Sequence, residues 1–251
     1  MSQLIDKLNR MSHAAPQPMG FGRAQKPATT TNLVLIVSVS PAQADRAADC
    51  VKGADAALWR AAAGSDITAL LEKARAVPDM PRGYWLDGNN PQEIESIVKS
   101  EPDFVIFPAS TPLGILPQNK PGKILQVEAS LGDSLLRATN DLPVDALLVT
   151  GETAPVLTWQ QLMLFRRFAS AVDKPLLVTL PPKATDSELQ ALVEAGVAGV
   201  IIEAEASQTA VVREQIDKLS PPRRKRGQVE PFLPRLAPEP EPVPQEEEED
   251  E

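Results

Sequence analysis

From about Leu33 to Ala204, short runs of nearly pure apolar residues alternate with stretches of helical pattern: "NLVLIVSVS", "ADAALW", "GYWLDG", "DFVIFPAS", "KILQVEAS", "VDALLVTG", "PLLVTLP" and "AGVIIEA". A strand with one wet face alternates apolar and polar residues. These runs have no polar side, so both of their faces must be covered. Eight such runs separated by helices predict a parallel sheet of eight strands wrapped by helices. The helical stretches carry their own end markers. "SDITALLEKARAV" opens at a Ser65 or Asp66 cap, "NPQEIESIVKS" has Pro91 in its first turn, and "TDSELQALVEAGV" runs from Thr185 or Asp186 to Gly196. The connection "STPLGILPQNKPGK", Ser110 to Lys123, is the exception, because its prolines and glycines predict a short or missing fourth helix.

A coarser repeat appears when the even-numbered runs are aligned as "GADAALW", "EPDFVIF", "PVDALLV" and "GVAGVII". Asp55, Asp103 and Asp145 stand just before three of the strands, with Gly199 read in that place in the fourth. Repetition every two strands fits a ring assembled from βαβα quarters, although aspartates that merely cap turns leave the same trace. The phrase "LVEAGVAGVIIEA", with "VKGADAALW" and "PVDALLVTG", resembles the helix–glycine–strand joints of aldolase-type (βα)8, or TIM, barrels. That resemblance spans about residues 32–220. Its motifs are generic to the superfamily, so it implies a closed barrel and no narrower family. An open doubly wound sheet is the competing fold, but "SVSPAQAD" follows the first strand where a dinucleotide-binding sheet would carry a glycine fingerprint.

A chain of 251 residues that is 43% hydrophobic suffices for one such barrel with tails. We expect an arm over 1–31, the single closed α/β barrel over 32–220, and a disordered Pro/Glu-rich acidic tail over 221–251. In the arm, "SQLIDKLNRM" reads as a short amphipathic helix with Leu4, Ile5 and Leu8 on one side, laid across the barrel floor or a partner. The tail after Ser220 has proline and charge in place of core-forming residues. Its "RRKR", Arg223 to Arg226, reads as a solvated linker, and "VEPFLPRL" as a candidate docking peptide. The tail's nine acids and five bases, within a net charge of −9, argue against a broad nucleic-acid footprint. With Cys50 alone, no intrachain disulfide can form, which suits a reducing cytoplasm. No secretory core and no bilayer-length apolar run stand in the sequence.

If the ring closes, alternate residues of each strand point inward, and the strand C-termini surround any site. The parity that turns polar groups inward there selects Ser38, Ser40, Asp87, Ser110, Glu128, Ser130, Thr150, Glu152, Thr179, Glu203 and Glu205, with Arg60 and Lys183 as nearby cations. Glu128 is the most informative member, because a carboxylate deep in a barrel costs several kcal/mol unless it is paired, protonated or metal-bound. It is a candidate general base or, with Asp87 and Glu203, a ligand for Mg²⁺; a structural ion pair to Arg60 or Lys183, or a solvated rim position, are the alternatives. Arg60, Ser40, Thr150, Thr179 and Lys183 are the candidate substrate contacts. The single histidine, His13, lies in the arm, which removes His-based metal and triad chemistry from the barrel. Prolines and glutamates after the last two strands disfavour the phosphate grip common in such barrels. The expected role is binding of a small polar molecule at the mouth, with Mg²⁺-assisted lyase or aldolase-like chemistry as its catalytic form. A catalytically silent barrel that recruits partners through the tail is the alternative.

Overall fold

The computed structural model describes residues 2–12, 33–60, 67–77, 80–86, 90–117, 120–150, 156–181 and 183–220. Eight parallel strands close into a barrel in sequence order, each bonded to the next and the last to the first. They are β1 Val34–Val39, β2 Ala56–Arg60, β3 Arg82–Trp85, β4 Phe104–Pro108, β5 Gly122–Glu128, β6 Ala146–Thr150, β7 Leu176–Thr179 and β8 Gly199–Glu203. The α-helices among the described residues are α1 Gln3–Ser12, α2 Ala47–Cys50, α3 Ile67–Arg75, α4 Pro91–Lys99, α5 Asp133–Ala138, α6 Trp159–Ala171, α7 Asp186–Ala195 and α8 Ala206–Asp217. No helix appears among the described residues between β4 and β5, and α5 is only six residues long. Among the described residues, no helix is long and apolar enough to cross a membrane.

The helix ends follow local chemistry. Asn90 caps α4 by accepting the Gln92 N–H, with Pro91 in the first turn, where a missing N–H costs nothing. At α7 the cap is Thr185 rather than Asp186, in a reciprocal pair with Glu188, and Gly196 closes the helix at φ 94°, a left-handed conformation that suits glycine. The Ser65 and Asp66 cap lies outside the described residues.

Two apolar layers follow from strand parity. Leu35, Val37, Ala57, Trp59 and Val105 face outward and pack under the helices. Val34, Ile36, Leu58, Trp85, Phe104 and Ile106 are among those that face inward and fill the ring. Leu4, Ile5 and Leu8 of α1 join the inward set, so the arm helix seals the end where the strands begin. The seal is close. A Cβ on Gly122, the first residue of β5, would lie 2.6 Å from Ile5, so only glycine leaves room for the helix.

The repeated aspartates explain themselves at this end. The Asp55 and Asp145 carboxylates accept the Leu35 and Lys123 N–H groups, while their own N–H groups donate to the carbonyls of those same residues. Asp103 instead accepts from Ser2 Oγ at 2.8 Å and from the Gln3 and Leu4 N–H groups at 2.7 and 3.0 Å, capping α1. Asp55 also takes Lys7 Nζ at 2.5 Å and the Arg213 guanidinium at 3.2 Å. In the fourth quarter the equivalent position is Ala198, not Gly199, because the Ala198 N–H donates to Leu176 O as the Asp55 N–H does to Leu35 O.

Candidate functional site

At the C-terminal end the inward positions turn polar, and four strands tie into one chain of contacts. Arg60 ends β2 and its guanidinium carbon lies 4.0 Å from the centroid of the Trp85 ring, on the paired end of β3. That spacing is favourable for a cation over an indole face. Trp85 is buried, and its Nε1–H donates to Gln126 Oε1 on β5 at 3.0 Å. Gln126 Nε2 donates to Thr150 Oγ1 on β6 at 3.4 Å, and Thr150 Oγ1 donates to Val127 O. Trp85, Gln126 and Thr150 are therefore mutually engaged, which holds the Trp85 ring in one orientation beneath Arg60.

Above this layer stand the acids. Glu128 ends β5 with an exposed side chain, and its Oε2 accepts from Ser130 Oγ at 3.1 Å. One rung lower on β5, parity turns Gln126 inward and half-buried, so part of the desolvation cost expected for Glu128 falls on a neutral amide with two partners. Glu203 and Thr179 end β8 and β7 and are exposed, as are Ser110, Lys183 and Glu205. Ser38 is half-buried on β1. The Ser40 hydroxyl donates to Gln43 Oε1 at 2.8 Å, so it serves the turn that starts at Pro41. Asp87 and Glu152 lie outside the described residues. Among the described residues, no three His, Cys, Asp or Glu side chains gather closely enough to hold a metal ion.

Arg60, Trp85, Gln126 and Thr150 are thus brought together, while Glu128, Glu203, Thr179 and Lys183 ring them at the solvent. The link through Gln126 was hard to foresee from sequence. Parity marks it as inward, but its partner Trp85 is 41 residues away on β3, two strands from β5 around the ring.

No protein-family model matches the chain, and no curated protein matches it in sequence. Solved structures do match in shape. A mutant tryptophan synthase α-subunit from Pyrococcus furiosus superposes with a TM-score of 0.58 at 11% identity, over 74% of this chain and 97% of that one. Tryptophan synthase from M. tuberculosis, in an open form with BRD0059 bound, gives 0.53 at 14% identity, over 74% of this chain and 91% of that one. The chain has the (βα)8, or TIM, barrel fold. At such identities the likeness extends to the fold alone.

Proposed function

We propose that this TIM barrel binds a small polar molecule bearing a carboxylate at its C-terminal mouth, with Arg60 as the anion partner and Trp85 as the apolar platform beneath it. The carrying observation is the Arg60 guanidinium laid on the Trp85 ring at 4.0 Å. A guanidinium laid on an indole face has less entropy to lose on binding than a free side chain, and carboxylates match guanidinium geometry. The fold supports the location, since barrels of this kind place their sites at the C-terminal face. Thr150, Thr179, Ser40 and Lys183 are secondary contacts around the same mouth.

The catalytic form of this reading is a Mg²⁺-assisted lyase or aldolase-like step with Glu128 as base or metal ligand and with Asp87 and Glu203 as further ligands. The exposed Glu128 carboxylate is reachable by a substrate and by water. Binding is the better supported half, because it rests on groups that are already in contact.

Thermal-shift and calorimetric screens of mono- and dicarboxylic acids, with and without Mg²⁺, test both halves. We expect an acid to raise Tm in the wild-type chain, Arg60→Gln to abolish that rise, and Glu128→Gln to remove only its Mg²⁺-dependent part. A wild-type chain indifferent to every acid and metal would overturn the proposal and leave the barrel as a silent module that acts through its tail.

A further inference from the structure

Helix α6 shows an outer line that the barrel does not use. Phe165 and Phe168 face the core, whereas Trp159 is 82% exposed and Met163 67% exposed. Val156, in the turn before the helix, is also exposed, and the i, i+4 spacing of Trp159 and Met163 places those two side chains on one face of α6. Arg166 continues the line, exposed, with Nη1 donating to Glu194 O on α7. Isolated apolar residues on a surface are ordinary. A tryptophan and a methionine one turn apart and bare to water are the residue types that protein contacts favour.

We propose that this stripe is the docking site for the chain's own segment 230–236, "EPFLPRL". Reach permits it. Ser220 is anchored on α7, where its N–H donates to Gln190 Oε1 at 3.1 Å and its carbonyl accepts from Gln190 Nε2 at 3.3 Å. Helix α6 packs beside α7, and packed helices lie about 8–10 Å apart. The ten residues from Ser220 to Glu230 extend to roughly 35 Å, several times that step.

The chemistry also agrees. Arg166, Met163 and Trp159 follow one another along α6, an exposed cation beside two exposed apolar side chains. Glu230 precedes Phe232 and Leu233 by two and three residues, at most roughly 7–11 Å along a chain. The Arg166-to-Met163 step is about 4.5 Å along the helix, and side-chain length covers the difference. Glu230 then pairs with Arg166 while Phe232 and Leu233 cover Met163 and Trp159, and Pro231 and Pro234 stiffen the segment as in proline-rich ligands of aromatic surfaces.

Area favours this occupant over a second copy. Three side chains offer a few hundred Å², whereas a standard interface takes about 800 Å² from each partner. A tethered segment needs less, because a short linker holds it at about millimolar effective concentration.

The full-length chain provides the test. Trp59 and Trp85 are buried, so acrylamide quenching of tryptophan fluorescence reads Trp159, and a Trp159→Phe chain supplies the background. In the wild type we expect Trp159 to be shielded. Phe232→Ser with Leu233→Ser should red-shift its emission and raise its quenching, and Arg166→Glu should give a smaller change of the same sign. Identical emission and quenching in the wild type and the double variant would refute the docking. Shielding that survives the double variant but disappears on dilution would also refute it, by assigning the stripe to a second copy.

Discussion

The two ends of the barrel are built on opposite principles. Where the strands begin, α1 inserts Leu4, Ile5 and Leu8 against Phe104, Ile124 and Leu177, and three aspartates bind strand or helix N–H groups. Where the strands end, the apolar filling stops at Trp85, a ladder of neutral polar groups follows, and charged residues stand in water. Carboxylates occur at both ends, and burial with partners separates their uses. Asp55 is largely shielded, its carboxylate meets two cations and the Leu35 N–H, and its own N–H donates to the Leu35 carbonyl, so it serves the fold. Glu128 is exposed and its carboxylate accepts from Ser130 Oγ, so the fold does not bury it. The sealed end holds its charges in buried partnerships, and the open end leaves its charges in water.

The sharpest way to break this contrast is to empty the sealed end. Phe104 is fully buried in the ring, and Phe104→Ala should cost about 3–5 kcal/mol in urea unfolding, the range for deleting a core aromatic. Binding of an acid by the folded protein should change little. A cost under about 1 kcal/mol would mean that the ring interior is not the rigid half.

A smaller effect tests the plug itself. Asp103→Ala removes three hydrogen bonds at the start of α1 and should cost about 1–2 kcal/mol, with hydrogen exchange rising first in residues 3–12. Uniform exchange across the barrel would show that α1 is not a separable seal.

The smallest effect belongs to the open end and depends on pH. The Glu188 carboxyl is held below its ordinary value of 4.5, chiefly by the Thr185 N–H it accepts, and it also takes the Leu157 N–H beside α6. A lowered folded pKa makes the charged form stabilising, fully present above pH 4.5 and lost as pH falls through the folded value. Because the group is largely in water, the wild type should exceed Glu188→Gln by at most about 0.5 kcal/mol at pH 7, with the gap closing in acid. A gap independent of pH would assign the contribution to packing.

Strand number, parallel pairing and the inward parity were legible in sequence, because runs without a polar side have few ways to be covered. The helix starts at Pro91 and Thr185 were legible for a local reason, since a cap satisfies its own helix within three residues. The place of α1 was half legible: Leu4, Ile5 and Leu8 announced a buried face, but not what would bury it. The aspartate repeat was visible as letters, and its register in the fourth quarter required the backbone bonds to show that Ala198 is the match.

The site was less legible, because its contacts join residues far apart in sequence. Parity placed Glu128 and Thr150 on the inside with Arg60 as a nearby cation, yet depth along the axis decides how far each stands from solvent. Depth depends on strand stagger around the closed ring, a property of no single segment. What the sequence determined by itself was therefore periodic and local: eight strands, their faces and several helix caps. Only the tertiary structure decided that Gln126 lies one rung below Glu128, that Trp85 bridges Arg60 and Gln126, and that Trp159 faces solvent, because each follows from the approach of segments whose separation leaves no mark in the order of residues.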